Sequence, residues 1–315
     1  MSLQNGSLRA AAETREQYEA LLETEVSLIY IDSGYFAPGS FRALCEAAHA
    51  AGKSCGLRFP HIFRKETADF FRKHRESVLE AGFDAFLLRS LEELCFLREE
   101  GFPGEGFCGG AGSAQADPGA DTEPEAKPDT KPGAKRRTEL VADHGMYAFN
   151  GTAAALLEQI LAGEAGQERF QSACPYRLTL PLELNSRELA ALCRMDRKAP
   201  HELVVYGRAP MMVSAQCIRK TLRGCDKRPV VMQLKDRKGA LLPVKNNCTF
   251  CYNTILNAGP TVIYDREKEL SEIGADSLRY EFTTETAKEV KEILSGKRIW
   301  RENEFTRGHF KRGVE

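Results

Sequence analysis

The chain reads as an α/β protein, a (β/α)8 TIM-like barrel with a cysteine-rich insertion after the seventh strand. Three observations predict it. Short apolar runs alternate with amphipathic stretches along the 315 residues, the alternation that builds a parallel sheet covered by helices. Eight strand–helix repeats in a chain of this length favour closure into a barrel over a doubly wound open sheet. The alternation then breaks in the last third, where four cysteines fall in one long stretch.

The elements follow in order. Strands are expected at Leu8–Ala12, Ser27–Asp32, Ser54–Phe59, Ala85–Arg89, Glu139–Asp143, Tyr176–Leu180, Glu202–Tyr206 and Ser277–Phe282. Helical stretches are Thr14–Leu22, Ser40–Ala51, Lys65–Ala81, Leu91–Glu100, Ala153–Ala162, Ser186–Arg194 and Glu285–Leu294. Asn185-Ser186-Arg187-Glu188 is a polar start before an apolar run, as a capped helix has. Gly52 and Gly82 stand just past helices, where a left-handed residue closes the last turn. A single barrel domain is expected over residues 1–315. Gly104–Thr138 is rich in Gly, Ala, Pro and charged residues without apolar periodicity, and predicts a disordered surface insertion. Gly104, Gly106 and Gly109 spell Gly-x-Gly-x-x-Gly. A helical pattern precedes them and no helix follows, so the dinucleotide-binding context is missing.

Residues 208–258 form the cysteine-rich insertion, expected to bind a metal or cluster. Cys217, Cys225, Cys248 and Cys251 stand in the frame Cys-x7-Cys-x22-Cys-x2-Cys. Val230–Lys235 and Ala240–Val244 flank Asp236-Arg237-Lys238-Gly239, a hairpin signal that would return Cys225 toward Cys248. Four soft thiolates suit an iron–sulfur cluster or a structural zinc. The wide first spacing favours the cluster, since four-cysteine zinc sites usually use two short knuckles. Disulfides are the third reading, and unbound thiols the remaining one. The chain has no apolar signal core at its start and no long uncharged apolar run. A reducing cytoplasm is therefore expected, where structural disulfides are rare, and no membrane partner. Cys55, Cys108 and Cys174 carry no assigned chemistry; Cys45, Cys95 and Cys193 sit in apolar helical patterns and are expected to be small buried groups.

The formal net charge of −1 gives no global pull toward nucleic acid or anionic lipid, and no DNA partner is expected. Locally, nine basic residues between Cys217 and Cys248 face only Asp226 and Asp236, a surplus of seven positive charges. Such a rim suits either a solvated loop or phosphate binding; Lys227, Arg228, Lys235 and Arg237 are the RNA-binding candidates.

Barrel active sites gather where strands end. Asp32, Arg58, His61, Arg89, Asp143, His144, Glu183, Asn185, Tyr206 and Arg208 fall there. Arg58, His61, Glu183 and Arg208 are the catalytic candidates, although Arg58 and Arg89 also suit pairing with carboxylates between strands, and His61 a hydrogen bond under a loop.

Several segments resemble the collagenase-like (U-thirty-two) peptidase family. They are Glu202-Leu203-Val204-Val205-Tyr206-Gly207-Arg208-Ala209-Pro210-Met211-Met212 running into Gln216-Cys217, then Gly224-Cys225-Asp226-Lys227, Leu234-Lys235-Asp236-Arg237 and Pro243-Val244-Lys245-Asn246-Asn247-Cys248. Pro60-His61-Ile62-Phe63-Arg64 and Gly308-His309-Phe310-Lys311-Arg312-Gly313-Val314 also fit. The similarity is to the distal barrel of the long members, the group that includes a ribosomal RNA cytidine hydroxylase. It implies a 4Fe-4S cluster on Cys217, Cys225, Cys248 and Cys251. Family members hydroxylate transfer RNA uridine, ribosomal RNA cytidine or a quinone precursor, the RNA-directed ones in connection with prephenate; others carry the label of peptidase. RNA base hydroxylation or its support is therefore the expected function. The alternatives are a peptidase of unknown catalytic type, with a metal-bound water between His61 and Glu183, or a non-catalytic binding module clipped by zinc. The long members carry a further barrel region upstream of the part matched here, so the expectation is either a stand-alone partner or half of a split protein whose companion chain supplies that region.

Overall fold

In the computed structural model, residues 7–102, 137–162, 175–195 and 199–314 are described. The barrel strands run β1 (Ser7–Ala12), β2 (Leu28–Asp32), β3 (Ser54–Arg58), β4 (Ala85–Leu88), β5 (Glu139–Ala142), β6 (Tyr176–Thr179) and β7 (His201–Gly207). After β7 come β8 (Pro210–Ser214), β9 (Val231–Lys235), β10 (Leu241–Asn247), β11 (Tyr252–Leu256) and β12 (Thr261–Val262) before the eighth barrel strand, β13 (Ser277–Glu281). β13 pairs in parallel with both β1 and β7, and β6 pairs with β7, so the eight-stranded parallel sheet closes on itself. β8, β11, β10 and β9 form a separate antiparallel sheet in that order.

The helices are α1 (Arg15–Leu22), α2 (Phe41–Ala50), α3 (Lys65–Lys73), α4 (Arg75–Ala81), α5 (Leu91–Glu99), α6 (Gly151–Ala162), α7 (Ser186–Cys193), α8 (Ile218–Arg223), α9 (Glu267–Ile273) and α10 (Ala287–Leu294). Capping boxes start three of them, Thr14 with Gln17, Asn185 with Glu188, and Thr286 with Glu289; each satisfies two backbone N–H groups that have no partner in the helix. The outer faces of the strands and the inner faces of the helices share one apolar core, which includes Ile29, Leu57, Phe86, Leu178, Val205 and Phe282.

Several expectations are corrected. The stretch 65–81 is two helices, because His74 leaves helical geometry at φ −105°, ψ 20°; α3 then sets Phe70 against Phe250 while Val78 and Ala81 of α4 enter the core. Cys95 is exposed, since Leu94, Phe96 and Leu97 take the core-facing positions of α5. Cys45 is buried as expected and Cys193 is half-buried. Cys108, Cys174 and most of the 104–138 segment lie outside the described residues. Its last residue, Thr138, is ordered into the barrel: it is 2% exposed and donates its hydroxyl to the Phe83 carbonyl at 2.6 Å.

The barrel interior is built largely from charges. Barrels of this type usually fill it with layers of branched apolar side chains. Here the apolar layer is small (Ala11, Leu28, Tyr30, Ala85, Leu87 and Val141). Gly56 makes room for it, because a Cβ there would stand 2.6 Å from the Tyr30 ring. The rest is an ion-pair network that runs up to the mouth.

Candidate functional site at the barrel mouth

The loops after the barrel strands bring charged side chains together at one end of the barrel, as strand ends do in this fold. Arg58, 1% exposed, donates to three carboxylates: Asp32 from Nε at 2.9 Å, Glu13 from Nη2 at 2.5 Å, and Glu281 from Nη1. Lys245, reaching in from β10, pairs with Glu13 and donates to the Thr283 carbonyl at 2.7 Å. Arg89 stands 3.3 Å from Asp143 and 3.7 Å from Asp32. Deeper in, Arg279 contacts Asp143, Glu202 and Glu281, and Arg9 and Arg177 share Glu139. Six cations, Arg9, Arg58, Arg89, Arg177, Lys245 and Arg279, thus meet six carboxylates, Glu13, Asp32, Glu139, Asp143, Glu202 and Glu281. Cations and carboxylates in the network are thus equal in number. The Arg279 contacts hold the Asp143 carboxyl well below the usual carboxylate range against the opposing effect of burial.

Above the network lies a cavity of about 50 Å3 that opens to solvent. Arg58, His61, Arg89, His144, Arg208 and Lys245 line it with Tyr35, Tyr252 and Thr254. His61 is held neutral: burial, then the Arg89 and Arg58 cations, depress its pKa well below the usual histidine value. Its backbone N–H faces the Tyr252 hydroxyl at 3.3 Å. Arg208 donates to the carbonyls of Asn257 at 3.0 Å and of Ala258, and to Thr284 Oγ1 at 3.3 Å. Among the described residues no ion pair engages it, unlike Arg58. Glu183 is not among the lining residues; Leu182 takes that place. Asn185 caps α7, and Tyr206 donates to Glu285 at 2.9 Å.

The small antiparallel sheet roofs this mouth. Its attachments are specific: Lys245 to Glu13, the Thr249 hydroxyl to the Gly34 carbonyl at 2.8 Å, and Arg64 to the Phe250 carbonyl at 3.1 Å. Phe250, 6% exposed, wedges against Phe70 and Phe71 with ring centroids 5.0 and 6.0 Å away. Strand alternation gives the roof two faces. Across the β10–β11 pair, Lys245 opposes Thr254 and Asn247 opposes Tyr252; Lys245, Thr254 and Tyr252 line the cavity. The intervening pair, Asn246 and Asn253, belongs to the other face. There Asn246 Nδ2 approaches Cys217 Sγ at 3.4 Å.

Cys217 lies on that side, in the segment that also carries Cys225, Cys248 and Cys251. Cys217 caps α8, Cys248 follows β10, and Cys251 takes a left-handed φ of 57° that turns the chain into β11. Burial pushes the Cys248 thiol up, and Cys217, Cys225 and Cys251 act on it in the same direction, so all four share one electrostatic neighbourhood. Among the described residues, no group of three or more His, Cys, Asp or Glu side chains is placed to hold a metal ion. The donor set nonetheless fits a 4Fe-4S cluster chemically: four soft sulfurs from one segment, with N–H donors directed at Cys217.

Of the nine rim cations, Lys245 has turned inward and Arg219 pairs with Asp226. Lys227, Arg228, Lys235 and Arg237 are exposed, and no ion pair engages them among the described residues. Sequence reasoning missed Glu13, Lys245, Tyr252 and Glu281. Glu13 follows β1 and Glu281 ends β13, so the strand-end rule could have found both; Lys245 and Tyr252 arrive only through the roof's non-local pairing.

No family model matches the chain, and no curated protein matches it. Among solved structures, a truncated 3-deoxy-D-arabino-heptulosonate 7-phosphate synthase from Thermotoga maritima is similar, with 11% identity and a TM-score of 0.44 over 92% of this chain and 84% of that one. An HpcH/HpaI aldolase from Desulfitobacterium hafniense is similar at 11% identity and a TM-score of 0.41, over 93% and 91% of the two chains. Among the described residues, no helix is long and apolar enough to cross a membrane.

Proposed function

We propose that this chain is a cytoplasmic iron–sulfur protein that hydroxylates RNA bases or supports that reaction, as its sequence resemblance implies. The observation that carries the reading is the convergence of Cys217, Cys225, Cys248 and Cys251 on the segment that roofs the barrel mouth. A 4Fe-4S cluster held there would accept and pass single electrons. The exposed cations beside the thiols supply phosphate contacts. His61, held neutral, and Arg208, with no carboxylate partner among the described residues, are the mouth residues available to a substrate. Arg58 is reassigned: its three carboxylates make it a positioning residue for the mouth.

The paired network supports a second reading, a binding module without catalysis, because it leaves few free acids or bases at the mouth. The two readings differ in RNA chemistry: a hydroxylase leaves an RNA base one oxygen heavier in cells that contain the chain, and a module does not.

RNA binding is tested by salt dependence. Each phosphate neutralised releases counterions, so affinity falls steeply with salt. Replacing Lys227, Arg228, Lys235 and Arg237 with glutamine is expected to weaken binding and flatten the slope of log affinity against log salt. An unchanged slope removes RNA from the reading.

A further inference from the structure

Asn246 is 1% exposed, inside a strand, on the roof face turned away from the mouth. Two N–H groups there aim at one sulfur. Asn246 Nδ2 lies 3.4 Å from Cys217 Sγ, and the Lys220 backbone N–H lies 3.5 Å from it because Cys217 caps α8. A thiolate is an acceptor without a proton to give, and its hydrogen bonds are strengthened by its charge. The opposite end of the amide carries a cost: Asn246 Oδ1 is buried with no hydrogen-bond partner among the described residues. The fold thus leaves a carbonyl unsatisfied where the amide N–H faces sulfur. Asn253, across the strand pair, donates instead to the Gln216 carbonyl at 2.7 Å, one residue before Cys217, and braces the same corner.

We propose that Asn246 is a positioning residue that sets the reduction potential of the four-cysteine site through Cys217. The inference rests on the iron–sulfur reading above. Hydrogen bonds to ligating sulfurs are among the levers that set cluster potentials. The reduced state places more negative charge on the sulfurs, so a donor stabilises it more than the oxidised state and raises the potential.

The test is a redox titration of the full anaerobically purified chain, followed by electron paramagnetic resonance, with iron content measured alongside. Two variants are compared with the parent. Asn246→Leu keeps similar bulk while removing both the donor and the orphaned carbonyl. Asn246→Asp keeps the shape, replaces the donor with an oxygen and adds negative charge. Both are expected to retain the parent's iron, with midpoints shifted to more negative potential, further for Asn246→Asp than for Asn246→Leu. A midpoint unmoved in both variants at full iron overturns the inference. Loss of iron from both also overturns it, since Asn246 would then hold the site rather than tune it. A parent chain without iron fails the underlying reading and this inference together; iron with an unmoved midpoint fails this inference alone.

Discussion

Glu93 shows how one buried acid can make stability depend on pH. It sits in the first turn of α5, fully enclosed, and accepts the Arg89 backbone N–H at 2.6 Å. Burial pushes its pKa to about 8, from an ordinary 4.5. Between about pH 5 and pH 8 the unfolded chain has therefore lost a proton that the folded chain keeps. The sign follows: this group's contribution to stability falls as pH rises through that window and levels off above it. Each tenfold difference in proton affinity between the folded and unfolded chains is worth about 1.4 kcal/mol, so the effect reaches a few kcal/mol. Glu93→Gln cannot ionise, so its unfolding free energy in urea should fall less between pH 5 and pH 8 than the parent's. Equal pH slopes for the two proteins would contradict the assignment. Residues of this kind were partly legible in the sequence. Asp32, Arg58, Arg89 and Asp143 were found because strand ends in a barrel converge, and the pairing of Arg58 and Arg89 with carboxylates was one of the two roles the sequence allowed. Glu93 was not found, because its acid character at a helix start signals capping whether it is buried or not.

At the scale of elements, the barrel strands were legible almost to the residue. Ala85–Arg89 ends at Leu88, and Glu139–Asp143 ends at Ala142; the side chains of Arg89 and Asp143 pair across the mouth, while the Asp143 N–H still donates to the Leu88 carbonyl at 2.7 Å. The hairpin of β9 and β10 was also legible, with Leu241 opposite Lys235 across the polar turn. β8 and β11 were not, since their pairing of Met212 with Ile255 spans a segment with no local signal. α9 escaped because only Leu270 and Ile273 are buried along its charged length. The roof is held to the barrel at few points, and Phe250 is its apolar anchor. Phe250→Ala should remove that wedge, at about 3–5 kcal/mol for a buried aromatic cut back to alanine. The effect should appear as faster protease cleavage between Arg219 and Lys238, with far-ultraviolet circular dichroism nearly unchanged. Unchanged cleavage would mean that Lys245 and Thr249 hold the roof without Phe250.

The whole molecule combines a barrel that has its own core with a roof that carries the sulfurs. On the proposed iron–sulfur reading, that division would separate folding from metal binding. A small zinc domain owes its folding free energy to its metal, whereas eight paired strands packed on helices do not need one. The roof's two faces further separate the roles: Lys245, Tyr252 and Thr254 face the mouth, and Asn246 faces Cys217. On the proposed reading, the four thiols hold an iron–sulfur cluster. The direct measurement is iron and acid-labile sulfide in the anaerobically purified chain, beside alanine variants of Cys217, Cys225, Cys248 and Cys251. The parent should contain about four iron and four sulfide per chain, as a 4Fe-4S centre requires. Each variant should lose iron and visible absorption while keeping the barrel's circular dichroism. Zinc without iron in the parent, or full iron in all four variants, would contradict the account.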